Sequence, residues 1–259
     1  MSDALTINFS EIPRQKNTPA FVIGNGISRM GLDLNLLRNR GIIFGCNYLL
    51  KDYDFLDCPF FLFSQDHAPV SYITRKKFVE RGGNLILPKA VLNHPMVKDI
   101  SRYIIIDKTI GSTGHNALNH AIQLGCDPIV LIGMGDRFKK VQEYYTDNIY
   151  NYGNSLIKAP MRVYKDHIQR QCQEYKTHRE WPQLFVKMIE ATNALVISTN
   201  PDNIMKVPAI PYEELIDLFP PVYGCKPTFI SNSSWTLPAR LDSVPTEPDE
   251  PPHGASTGR

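Results

Sequence analysis

Residues 21–28 read Phe21-Val22-Ile23-Gly24-Asn25-Gly26-Ile27-Ser28, an apolar strand that runs into a glycine-rich turn. Because glycine adopts positive φ and lets a ligand approach the backbone closely, Gly24 and Gly26 are typical of a phosphate-binding turn beside a helix start. The dinucleotide fingerprint is incomplete, since Arg29 stands where its third glycine would be and the next glycine is Gly31. A tight turn that binds nothing would fit the same residues.

Short apolar runs along the rest of the chain indicate the fold. Because these runs do not alternate with polar residues, they predict strands that are covered on both faces, as in a parallel sheet. Helices are predicted at 116–124, ended by Gly125, and at 181–191, with Pro182 in the first turn. We therefore expect a doubly wound, Rossmann-like α/β fold with a mostly parallel sheet of about seven strands. The seven runs are Ala20 to Ile23, Gly41 to Gly45, Phe60 to Ser64, Leu85 to Leu87, Tyr103 to Ile106, Ile129 to Ile132 and Leu195 to Ser198.

The composition divides the chain into one main domain and a different C-terminal part. Residues 1–19 form a lead-in, 20–215 the main Rossmann-like domain, and 216–241 an irregular, proline-interrupted segment. Residues 242–259 are rich in proline, acidic and small residues, which predicts a disordered tail. An arm that orders on a partner or on a second subunit is the alternative, so a homo-oligomer is compatible with the sequence.

Composition and charge exclude several classes of protein. The 259 residues are 42% hydrophobic, but no apolar run is long enough to cross a bilayer and the N-terminus lacks a signal-peptide pattern. A formal net charge of +2 without a long basic run gives no specific nucleic-acid signal. The five cysteines form no C-x-x-C pair, which favours reduced, mostly buried thiols over disulfides or a zinc site. We expect a cytoplasmic protein.

Polar residues follow several of the predicted strands. Asn47 lies two residues after the end of the second run and could read a base or a ribose hydroxyl, or merely form an Asx turn. Asp66 follows the third run and could contact an acceptor hydroxyl or a metal, or simply lie on the surface. The turn at Ser112, Thr113 and Gly114 precedes the helix at 116–124, where a helix N-terminus favours an anion, although capping alone would also explain these residues. Ligands of open α/β sheets bind at the edge formed by the carboxyl ends of the strands, which is where we expect these polar residues to lie.

Taken together, these segments resemble a known superfamily. The resemblance is to the small bacterial sialyltransferases of lipooligosaccharide synthesis, and equally to the 6-hydroxymethylpterin diphosphokinase-like and motility-accessory-factor proteins, which include uncharacterised bacteriophage members. It covers roughly residues 20 to 200 and implies a Rossmann-like transferase domain. The matching segments are Gly24-Asn25-Gly26-Ile27-Ser28, Cys46-Asn47, Ser112-Thr113-Gly114 with Ala117, and Leu124-Gly125-Cys126-Asp127-Pro128-Ile129-Val130-Leu131-Ile132-Gly133.

The resemblance implies roles for individual residues. In the sialyltransferases the corresponding residues bind the nucleotide of a CMP-sugar donor, which implies that role here for Gly24, Asn25, Gly26, Ser28, Asn47, Ser112, Thr113 and Gly114. The family's Tyr-x-x-His element is matched by Tyr175 and His178, and the histidine would act as general base. Of two tyrosines that contact the leaving phosphate, Tyr144 or Tyr145 could supply one. Phe138 replaces the other, and Arg137 could supply the missing donor.

Three functions therefore compete at the level of sequence. The leading hypothesis is a glycosyltransferase that uses a nucleotide-sugar donor and a hydroxyl acceptor and requires no cofactor. A diphosphokinase would instead use Mg²⁺ held by Asp66 and Asp136. The third hypothesis is a non-catalytic nucleotide-binding or phage accessory protein, which the missing tyrosine hydroxyl at Phe138 favours.

Overall fold

The described part of the chain is an α/β fold built on one open, parallel sheet. The structure, a computed structural model, describes residues 5–51, 53, 55–64, 72–92, 97, 100–135 and 180–221. These residues contain eight strands in the order β1-β6-β5-β4-β3-β2-β7-β8, and every neighbouring pair is parallel. The strands are β1 (Leu5–Asn8), β2 (Ala20–Ile23), β3 (Ile42–Cys46), β4 (Phe60–Phe63), β5 (Asn84–Pro88), β6 (Arg102–Ile106), β7 (Ile129–Ile132) and β8 (Val196–Ser198).

Four α-helices accompany the sheet in the described ranges. They are α1 (Tyr72–Glu80), α2 (Thr113–Leu124), α3 (Glu180–Glu190) and α4 (Tyr212–Leu218). Helix α2 ends where predicted, because Gly125 adopts the left-handed conformation with φ 78°. It begins three residues earlier than predicted, since Ser112 in extended conformation is its N-cap. Helix α3 agrees with the predicted helix to within one residue at each end.

Apolar side chains cover both faces of the sheet. Strands β2, β3, β4 and β7 are buried along their whole length. Alternate residues of each strand point to opposite faces, so Val22 and Phe44 join one core with α2, while Phe21 and Ile43 join the other with α1 and α4. The prediction of a doubly wound, mostly parallel sheet is therefore confirmed.

One strand was missed by the sequence prediction. The N-terminal segment forms β1 at the edge of the sheet, where Leu5 to Asn8 pair with Arg102 to Ile105 of β6. The chain then crosses to the middle of the sheet and runs outward from β2 to β6, after which β7 returns to the other side of β2. The strand order thus reverses between β2 and β7, which is the switch point where open α/β sheets bind ligands.

Candidate functional site

The glycine turn after β2 is tied to the end of β3 at the carboxyl edge of the sheet. The side-chain amide Nδ2 of Asn25 donates a hydrogen bond to the backbone oxygen of Cys46 at 3.2 Å. The Oδ1 atom of the same amide accepts one from Nη2 of Arg29, also at 3.2 Å. Asn25 therefore links the ends of β2 and β3, and both its amide nitrogen and its amide oxygen make hydrogen bonds within the protein.

Asn47 joins the end of β3 to the beginning of α2. Its backbone has φ 43°, a left-handed conformation that asparagine tolerates better than most residues. The Nδ2 atom lies 3.3 Å from Thr113 Oγ1 and donates a hydrogen bond to it. Thus the residue predicted to follow the second strand and the predicted turn before α2 are in direct contact.

The turn before α2 is fixed by a histidine that sequence reasoning missed. His115 Nδ1 accepts a hydrogen bond from the backbone N–H of Ser112 at 3.0 Å and lies 2.8 Å from the Ser112 hydroxyl. A nitrogen that accepts from a backbone N–H carries no proton, so this ring is the neutral Nε2–H tautomer. On its other side the ring stacks on Phe185 of α3 with 3.7 Å between centroids. The available signal was the spacing of a side-chain acceptor three residues after an N-cap serine.

Neither glycine after β2 has the expected positive φ, and Gly24 is required instead by strand packing. Gly26 has φ −64°, and Gly24 is also outside the left-handed region. A Cβ atom on Gly24 would overlap the backbone oxygen of Gly133 and lie 2.7 Å from Met134 Cγ. The turn also leads into a three-residue 3-10 helix, Ile27–Arg29, so the expected α-helix start is absent at this point of the described chain. Whether Gly24, Asn25, Gly26 and Ser28 contact a nucleotide stays a prediction.

Arg29 places a cation inside the switch point. It stands where the third glycine of a dinucleotide fingerprint would be, yet only 4% of it is exposed. Its side chain passes beneath Gly133, whose φ is 60° and where an added Cβ would lie 2.9 Å from Arg29 Cδ. Burial raises the pKa of the neighbouring Cys46 thiol to about 12, although the charge of Arg29 acts in the opposite direction. Sequence reasoning missed Arg29, because its burial depends on Gly133, which follows β7 and is far from Arg29 in the sequence.

Three buried polar atoms at the same edge have no hydrogen-bond partner in the structure as described. They are Asn47 Oδ1 after β3, Ser64 Oγ after β4 and Thr199 Oγ1 after β8. Asn47 and Ser64 are neighbours, since Cys46 and Phe63 are paired in register directly before them. Buried polar groups in native proteins are nearly always hydrogen-bonded, and an exception calls for a physical reason. All three atoms follow the carboxyl ends of parallel strands.

The predicted catalytic residues and the two possible acceptor or metal contacts, Asp66 and Asp136, lie outside the described residues. This applies to Asp66, Asp136, Arg137, Tyr144, Tyr145, Tyr175 and His178. The described chain stops at Gly135, just past β7, and resumes at α3, whose Leu184 and Phe185 lie beside the α2 turn. Their roles stay predictions.

Other chemical features of the described ranges are few. No group of three or more His, Cys, Asp or Glu side chains in this part of the chain could hold a metal ion. Cys46, Cys58 and Cys126 are buried and free, as predicted for reduced thiols. None of the described helices is long and apolar enough to cross a membrane.

Comparisons with known proteins show a distant structural similarity and no match in sequence. No protein-family profile matches the chain, and no curated protein matches it. A solved structure of the MAf glycosyltransferase from Magnetospirillum magneticum AMB-1 is similar at 16% sequence identity and a TM-score of 0.34. The similarity covers 51% of this chain and 27% of that protein, so the chain spans about a quarter of its length. A likeness at this level assigns neither activity nor substrate.

Proposed function

We propose that the protein is a nucleotide-binding transferase whose nucleotide site lies at the carboxyl edge of β2 and β3. The observation that carries this proposal concerns Asn47, which lies beside the N-terminus of α2. Its Oδ1 atom is buried and has no hydrogen-bond partner among the described residues. Three segments that sequence analysis had assigned to nucleotide binding adjoin one another here. They are the turn after β2, the residue after β3 and the turn before α2.

The chemistry of this edge suits a nucleoside phosphate. Asn47 Oδ1 can only accept a hydrogen bond, so its partner must be a donor such as a ribose hydroxyl or a base N–H group. Ser64 Oγ next to it can donate or accept, which suits a second hydroxyl or a base edge. The N-terminus of α2 favours negative charge, and the buried cation of Arg29 lies on the same edge. One ligand with a neutral, hydroxyl-bearing part and an anionic part would match all of these groups.

For the reaction, we propose transfer of a glycosyl group from a nucleotide-sugar donor of the CMP-sugar type to a hydroxyl acceptor. The acceptor oxygen forms a bond to the anomeric carbon as the bond from that carbon to the phosphate oxygen breaks. His178 takes the acceptor proton, and Arg137 with Tyr144 or Tyr145 stabilises the negative charge on the departing nucleotide. These roles rest on the family resemblance. His178→Ala should abolish transfer while nucleotide affinity stays within about threefold, and unchanged turnover would remove the assignment.

A thermal-shift panel tests the proposed function. A ligand that binds only the folded state raises the Tm, by an amount that depends on its concentration relative to Kd. The panel contains CMP, CDP, UDP, GDP and ATP, each with Mg²⁺ and with EDTA. A metal-independent shift with CMP supports the glycosyltransferase. A shift that requires both ATP and Mg²⁺ supports a diphosphokinase instead, and no shift with any nucleotide contradicts the proposal.

A matched pair of variants locates the binding. Asn47→Gly removes the side chain and relaxes the left-handed backbone, so it should not destabilise the fold through strain. Losing one neutral hydrogen bond to the ligand costs about 0.5–1.5 kcal/mol, which is a roughly twofold to thirteenfold rise in Kd. Asn39→Gly is the control, since Asn39 has φ 59° but precedes β3 at the opposite edge of the sheet. Equal affinities in the two variants would place the ligand elsewhere.

A further inference from the structure

Met134 occupies the space between the two glycine turns. A Cβ atom on Gly24 would lie 2.7 Å from Met134 Cγ, and one on Gly114 would lie 3.0 Å from Met134 Cε. The methionine itself is only 6% exposed and joins the core that α2 covers. Both turns lack side chains where they face it, so the methionine side chain fills the gap that two glycines leave.

The backbone closes the same crevice from the side of the sheet. Gly24 N–H donates to Ile132 O at 2.8 Å, and Gly26 N–H donates to Gly133 O at 2.9 Å, so β2 and β7 stay paired beyond their ends. In dinucleotide-binding folds the second glycine of the fingerprint lets the backbone approach the pyrophosphate, which rests on the N-terminus of the following helix. Here the amide of that glycine is bonded to Gly133 O, directly after β7, and the following helix is a three-residue 3-10 turn.

We propose that Met134 is a specificity-determining residue that confines the ligand to the β2–β3 side of the switch point. A dinucleotide must extend its pyrophosphate across the junction of β2 and β7, where Met134 offers a thioether and methylene groups in place of hydrogen-bond donors. A mononucleotide bound at Asn47 and the α2 turn need not cross that junction. This inference rests on the proposed function, because it concerns the size of the nucleotide that the same site accepts.

The test compares a mononucleotide with the corresponding dinucleotide by isothermal titration calorimetry on the whole protein. The probes are CMP and P1,P2-dicytidine 5′-pyrophosphate, or the matched pair with whichever base gives the largest shift in the panel. Wild type should bind the mononucleotide at least about tenfold more tightly. Met134→Ala should reduce that preference about tenfold or more, whereas Met134→Leu, which keeps the volume, should leave it within about threefold.

Each outcome of the titration decides a separate point. If Met134→Ala keeps the wild-type preference for the mononucleotide, the role of Met134 is overturned while the nucleotide site stands. The same conclusion follows if wild type binds the mononucleotide and the dinucleotide equally. A wild type that binds no nucleotide refutes the proposed function, and this inference with it. If Met134→Ala loses its cooperative unfolding transition, Met134→Val shortens the side chain less and is subject to the same comparison.

Discussion

Replacing Gly24 by alanine should destabilise the fold even when no ligand is present. The added Cβ would overlap the backbone oxygen of Gly133 and lie 2.7 Å from Met134 Cγ, where ordinary contacts begin at 3.4 Å. Met134 can yield by rotating, but the Gly133 oxygen belongs to the backbone directly after β7 and is held there by the bond that it accepts from Gly26 N–H. The end of β7 must therefore shift away from β2.

The size of the effect follows from three contributions. Overpacking of this kind costs about 1–3 kcal/mol, and its upper range applies because backbone must move. The shift also weakens the 2.9 Å bond from Gly26 N–H to Gly133 O, at about 0.5–1.5 kcal/mol. In the opposite direction, alanine adds about 0.4–1 kcal/mol of stability, because it restricts the conformations of the unfolded chain. The free energy of unfolding should thus fall by about 1.5–4 kcal/mol.

Urea denaturation followed by circular dichroism measures this change, with Gly114→Ala as the control. That position lies in the first turn of α2, and the closest atom to its added Cβ is the mobile end of Met134 at 3.0 Å. Helix propensity favours alanine there by up to about 1 kcal/mol, so the control should remain within about 1 kcal/mol of wild type. If Gly24→Ala were as stable as wild type, the packing explanation would be refuted. Contact with a ligand would then remain as the reason for a glycine at this position.

Two further predictions concern pH and thiol reactivity. His120 packs between two phenylalanine rings, and its burial there lowers its pKa. The stability that the neutral ring contributes is therefore present above the unfolded pKa of about 6.5 and is lost as the pH falls below that value. Urea midpoints at pH 7.5 and pH 5 should differ more in wild type than in His120→Phe, and equal differences would contradict this. Burial raises the thiol pKa of Cys58 to about 11 and those of Cys46 and Cys126 to about 12, so their stabilising contribution is lost above pH 9. Iodoacetamide at pH 8.5 should leave these three thiols unmodified in the folded protein while the urea-unfolded chain reacts, as peptide mass spectrometry can show; rapid labelling of the folded protein would show them accessible.

The sheet could be read from the sequence because its central strands are buried on both faces. Runs such as Ile129 to Ile132 carry no polar residue, and the structure places every one of these side chains in a core. Strand β1 lacked this signal, since it lies at the sheet edge and contains Thr6 and Asn8. A strand of that kind is defined by its pairing with β6, about a hundred residues away in sequence, and local pattern does not reveal such pairing.

The location of the candidate site was also predictable, whereas its internal packing was not. Carboxyl ends of parallel strands share one edge, so Asn47 and the turn at 112–114 were expected to approach each other, and they do. The reason for Gly24, the burial of Arg29 and the position of Met134 all depend on how β7 packs against β2. Those contacts join residues more than a hundred positions apart, where spacing in the sequence gives no guidance.

The most direct test of the nucleotide site is hydrogen–deuterium exchange with and without the nucleotide that gives the largest thermal shift. Exchange resolved by peptide reports where bound ligand suppresses local opening of the backbone. We expect slower exchange in peptides that contain residues 24–28, 46–48 and 111–115, and unchanged exchange around Asn39 and Arg40 at the opposite edge. Protection confined to that opposite edge, or absent from all three segments at saturating nucleotide, would contradict a nucleotide site at the carboxyl ends of β2 and β3.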